Sequence, residues 1–206
     1  MYSVPMAIVD FIPVVFFAAA AWILLKDLYN KMSKGAFALF AAGAIDVFMA
    51  GSLKALYKLL YAANVCDFKP LSNMFFPVQA IGFMLAGIGM VCMVARPQGK
   101  GKLYSAAPAL FSGTFVFVTF MILGLAGMDV SLCILSKRMK KPAVMILFIV
   151  SFIFCLMMGY LSSKDFSQSY MNWAAEAVNV IGQGSLFVGT LILHKNGMEE
   201  FQVRED

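Results

Sequence analysis

Apolar residues fall in long unbroken runs separated by short polar stretches, and that spacing predicts membrane-spanning helices. Residues 71–95, 103–128, 142–163 and 177–194 are apolar and nearly or wholly free of charge; runs near 9–25 and 35–61 carry one or more charges. A helix needs ~20 residues to cross the ~30 Å hydrocarbon layer, and each run approaches or exceeds that length. Six spans are therefore expected, near 7–25, 36–61, 73–95, 103 onward, 142–161 and 170–193. Transmembrane strands would instead alternate over ~10-residue segments, which these continuous runs do not. The fold class read from the pattern is all-α, a polytopic transmembrane helix bundle. One helical membrane domain, 1–193, is followed by a polar C-terminal tail, 194–206, expected to be mobile. Tyr57, Tyr61, Tyr104, Tyr160, Tyr170 and Trp173 fall near span ends, as interfacial aromatics do.

The fourth run is ambiguous, because after residue 103 it continues to 136 with only Asp129 inside it. Six plain crossings would put Lys26, Lys31, Lys34, Arg96, Lys100, Lys102 and Lys164 on one side and nine basic residues on the other. Seven against nine orients nothing. If 103–136 is re-entrant, or crosses twice with a break near 124–129, the division becomes twelve against four, a clear positive-inside bias. Both topologies stay open at this level. The balanced six-crossing version suits a 3+3 inverted repeat, since three crossings per half would reverse the second half.

A shift of 100 residues supports some duplication. Val78 then meets Val178, Gln79 meets Asn179, Ile81–Gly82 meets Ile181–Gly182, and Gly89 meets Gly189. Small residues four apart (Gly82 and Ala86, Ala38 and Ala42, Ser185 and Gly189) would let helix backbones approach closely in lipid.

Composition narrows the class further. The chain has 206 residues, 62% of them hydrophobic and 13% charged, against about 25% charged in an ordinary soluble domain. Six spans with short loops use nearly the whole length, so no separate soluble domain fits. The net charge of +5 sits largely in loops between spans, which reads as topogenic charge rather than a nucleic-acid surface. Four scattered cysteines with no CxxC spacing argue against a metal or redox centre. No cofactor motif is present.

Candidate chemistry concentrates in the last span. Asn172, Glu176, Asn179 and Gln183 are spaced four, three and four apart, with Thr190 seven further on, which places them on one helical face. A carboxylate-and-amide stripe is costly against hydrocarbon, so it should face the bundle interior or a wet cavity. Asp46 lies mid-way along the second span and needs a partner or water. Lys54 and Lys58 follow it on a different part of the helix surface; Lys54 is a candidate ligand group, and Lys58 reads as snorkelling to the interface. Gln79, two residues after Pro77, is a candidate cavity amide beside a weakened helix. Asp10 reads as interfacial, and Asp129 gains interest only if the chain breaks near 124–127.

No HExxH, GxSxG, Walker A or GxGxxG sequence occurs, and the one histidine, His194, sits at a span end. These features point to a small integral membrane protein, of the plasma (inner) membrane, that binds or transports a small solute, ion or proton in the bilayer. In that reading Glu176 and Asp46 would neutralise a cationic group or exchange protons while Asn179, Gln183, Gln79 and Asn172 orient the solute. The alternatives are a receptor or regulatory subunit contacting another membrane protein through its small-residue faces, and an intramembrane enzyme using the two carboxylates.

Overall fold

The computed structural model describes residues 3–95, 114–161 and 169–201. In chain order these form α1 (Val4–Val9), α2 (Phe11–Leu28), α3 (Lys34–Ala62), α4 (Pro70–Asn73), α5 (Phe75–Ala95), α6 (Thr114–Arg138), a 3-10 turn (Pro142–Val144), α7 (Met145–Leu161) and α8 (Ser169–Lys195). No strand occurs among the described residues. Six helical segments are long and apolar enough to cross a membrane: Val4–Leu28, Lys34–Ala62, Pro70–Ala95, Val116–Arg138, Pro142–Leu161 and Tyr170–Lys195. Large apolar side chains such as Trp22, Ile45, Ile146, Ile153 and Val188 point outward, as lipid-facing residues should.

Two spans are broken near their starts by the same device. Proline has no N–H, so the carbonyl four residues earlier loses its helical partner. Pro13 leaves Val9 unbonded, and α1 ends there, with Asp10 at the junction. Pro77 does the same to Asn73, where α4 ends, with Met74 at the junction. The weakness expected at Pro77 thus lies upstream of it, and Pro77 itself sits in the tolerated first turn of α5. Ser33 begins α3 by accepting a hydrogen bond from the Ala36 N–H at 3.2 Å. Asn64, in a left-handed conformation at φ 55°, ends the same helix.

The spans pack as a closed ring in chain order, α2–α3–α5–α6–α7–α8 and back to α2. Small residues set the closest approaches. A side chain at Gly43 would overlap backbone of Gly82 and Ala86, and one at Gly124 would overlap backbone of Phe83 and Met84. The expected Gly82/Ala86 pair is therefore at a helix contact, whereas Ala38 and Ala42 are exposed.

Directions around the ring settle the topology. Gly124 lies against Phe83 and Gly87, and Gly127 against Gly87 and Val91, so α5 and α6 run parallel. The pair α2 and α8 is also parallel: Phe16 stacks on Phe187 with centroids 5.6 Å apart, and Asp27 meets His194 further along both helices. The remaining neighbours are antiparallel, as in α7 and α8, where Gly182 faces Phe154 and Gly189 faces Phe148. The helix ends joined by residues 96–113 consequently lie at opposite ends of the bundle, which strict alternation of six crossings does not allow. Nor does the chain break near 124–129, since α6 is continuous there.

This corrects the inverted repeat. The triplets α2–α3–α5 and α6–α7–α8 run in the same sense, which is not the opposed arrangement an inverted repeat requires. The shift of 100 residues survives in three dimensions. Gly82 and Gly89 face α3, the middle helix of their triplet, while Gly182 and Gly189 face α7, the middle helix of theirs. Among the described residues, Lys26, Lys31, Lys34, Lys137, Arg138, Lys140, Lys141 and Lys195 gather at one end. Only Lys54, Lys58 and Lys69 lie towards the other, N-terminal end.

Candidate functional site

The inward stripe of α8 is present as its spacing requires. Asn172, Glu176, Gln183 and Thr190 are buried, while Trp173, Ile181 and Val188 on the opposite side are exposed. Glu176 does not stand alone. The Lys58 ammonium lies 2.6 Å from Glu176 Oε1 and 3.0 Å from Asp10 Oδ2, and all three side chains are buried. The proline-induced break after Val9 sets Asp10 at the junction of α1 and α2, beside the last turns of α3. Lys58 is not snorkelling and Asp10 is not interfacial; together with Glu176 they form a buried charge triad joining the first, second and sixth spans. One ammonium between two carboxylates has most of its burial cost offset by short charge-assisted hydrogen bonds. Glu176 Oε2 is buried without a hydrogen-bond partner.

Beside this triad, within the ring and towards the N-terminal end, is a cavity of about 90 Å³. All six spans contribute to its wall. Its polar lining is Asp10, Lys54, Gln79, Asn179 and Gln183, and its aromatic lining is Phe17, Phe48, Phe75, Phe76 and Phe83. Lys54 holds its ammonium 3.8 Å from the centre of the Phe75 ring, a cation–π contact. The Gln183 amide donates to Cys155 Sγ at 3.6 Å, and its Oε1 is buried without a partner. Gln79 and Asn179, equivalent under the 100-residue shift, line the cavity from α5 and α8.

Of the residues singled out from sequence, Lys54, Gln79, Asn179 and Gln183 meet in this cavity. Glu176 adjoins it through the triad, and Asn172 is buried on α8 without lining it. Asp46 does not line it; half-buried, it packs beside Gly82 where α3 meets α5. Asp46 and Glu176 therefore do not converge on a shared hollow, and Asp10 is the carboxylate at the cavity wall. Asp129 is buried in α6 with neither oxygen hydrogen-bonded. Asp10 and Lys58 carried weak signals: Asp10 stands three residues before a proline, and four apolar or aromatic residues follow Lys58 before the helix ends.

The basic end has its own polar cluster. Asp27, fully enclosed, meets His194 Nδ1 at 2.7 Å, and Glu199 pairs with Lys26 at 3.4 Å. Lys31 donates to the backbone carbonyls of Asp27 and Glu199. Burial lowers the Lys31 pKa from its ordinary value, with Asp27 and Glu199 acting in the opposite sense. Asp27, His194 and Glu199 have ligand-type atoms within 4.8 Å of one another, but the Glu199 carboxylate is already paired with Lys26. Residues 196–201 are not a detached tail: Met198 is wholly buried and Phe201 packs on the core.

No protein-family model, curated protein or solved structure matches this chain. An integral membrane protein is what its six long apolar helices suggest.

Proposed function

We propose that this protein binds a small solute in the ring cavity and carries it across the membrane. The observation supporting this reading most is that all six spans send side chains into one cavity furnished with a lysine, a carboxylate and three amides. A bundle needing only stability would fill that space, because interhelical polar contacts in lipid average about 0.6 kcal/mol each. Parallel three-helix repeats are a plan used by transporters that rock one half against the other, and both triplets line the cavity. The preponderance of Lys and Arg at the opposite end orients that end to the cytoplasm, so the cavity faces the outer half of the bilayer.

The test is uptake into proteoliposomes of a panel of short carboxylates, amines, polyols and amino acids. Asn179→Phe, which fills the cavity, serves as the comparison, with its melting temperature measured alongside. The expected outcome is accumulation of at least one solute, reduced at least about tenfold in a folded Asn179→Phe protein. Equal uptake by the filled variant, or accumulation of nothing, overturns the proposal.

A further inference from the structure

We propose that the outer face of α3, at the bilayer midplane, docks a transmembrane helix of another protein that carries a lysine or arginine at its centre. The residue that calls for such a partner is Asp46. Twelve residues separate it from Lys34 and sixteen from Ala62, about 18 and 24 Å at 1.5 Å per residue. An aspartate side chain is too short to reach either interface from that depth, as a long lysine side chain can near a helix end. Asp46 makes no hydrogen bond or ion pair among the described residues. It does not line the cavity either, where α3 contributes Val47, Phe48, Gly51 and Lys54.

The half-buried carboxylate lies at the outer edge of the contact between α3 and α5. Ala42, Ile45 and Met49, beside it on α3, are exposed. Across the contact is Gly82, which has no side chain to cover it; a Cβ there would stand 2.9 Å from Asp46 Cβ. Lipid tails offer no hydrogen-bond donor, so an ionisable group at this depth is costly unless another protein group meets it. Ala38, Ala42 and Asp46 are four apart on one ridge of the helix, and both alanines are exposed. Small residues there let a second backbone approach closely enough for a basic side chain to reach the carboxylate. A second copy of this chain lacks that cation. Among the described residues, every lysine and arginine stands at or beyond a helix end except Lys54 and Lys58, which face the cavity and the triad. Charge complementarity therefore selects a different membrane protein.

The test places the donor-labelled full chain in liposomes with an acceptor-labelled synthetic helix of about 20 leucine and alanine residues bearing one central lysine. A second peptide has leucine in place of that lysine, and association is read by energy transfer as the peptide-to-lipid ratio rises. The lysine peptide is expected to associate at least about tenfold more tightly than the leucine peptide. Asp46→Asn should remove that preference and Asp46→Glu should keep it. Ala42→Leu should weaken the lysine peptide while leaving the carboxylate in place. Both positions lie at the lipid-facing surface, and each variant's melting temperature is recorded. Equal association of the two peptides, or a preference that survives in folded Asp46→Asn, overturns the proposal. Energy transfer between donor- and acceptor-labelled copies of the chain, lost on Asp46→Asn, assigns the face to self-association and also overturns it.

Discussion

The two ends of the bundle pair their buried charges alike but pack the space beside them differently. At the basic end, Asp27 Oδ2 is held by His194 while its Oδ1 is buried without a partner, the Glu199 carboxylate pairs with Lys26, and Leu28, Met90, Met93, Leu132, Leu193 and Met198 are buried between the helices. At the N-terminal end a buried triad is just as tightly paired, yet beside it the helices stand apart around a cavity. The same six helices bury large apolar side chains between them at one level and leave space at another. Small residues and flexible methionines close the first. At the second, the proline-broken starts of two spans and a ring of phenylalanines prop the walls apart. The cavity is thus a local property of the residues that line it.

The contrast can be broken most severely at the triad. Lys58→Met leaves two buried carboxylates without their cation and should cost about 3–5 kcal/mol in detergent unfolding. Restoring neutrality with Asp10→Asn and Glu176→Gln together should recover most of that loss. Packing comes next. Met90→Ala, in the filled half, should cost about 2–5 kcal/mol, whereas Met158→Ala, which already borders empty space, should cost under about 1 kcal/mol. Equal costs would mean that the two levels are packed alike. At the basic end, His194→Gln weakens the clamp on Asp27 and should cost about 1–3 kcal/mol, leaving solute affinity unchanged. Smallest of all, Asp46→Asn should change solute affinity by less than about 0.5 kcal/mol, since Asp46 is not at the cavity wall.

Much of this architecture was legible beforehand. The span positions follow from run length alone, and the inward stripe of α8 follows from its spacing, because lipid on one side leaves a polar face only one place to go. The equivalence of Gln79 and Asn179 was visible as a shift of 100 residues. Its sense was not, because the direction of α6 relative to α5 shows only in the contacts between them, which a hydropathy pattern does not record. The triad was hidden for a different reason. Lys58 and Glu176 are 118 residues apart, and no periodicity in one helix reveals what another brings to it. Asp46 shows the converse: its mid-span position pointed to the cavity, yet it packs beside Gly82 where α3 meets α5.

The account depends on the cavity being open to water from the N-terminal face and occupied by solute. Cys155 lines it, so a protein with Cys66, Cys92 and Cys133 replaced by serine carries a single reporter thiol there. The decisive measurement is the rate at which an anionic, membrane-impermeant methanethiosulfonate modifies that thiol from each side of a reconstituted bilayer. The account predicts modification from the N-terminal side, slowed by a solute that the protein accumulates in proteoliposomes, and none from the basic side. Modification only from the basic side, or no modification in a folded protein whose denatured form reacts fully, would contradict it.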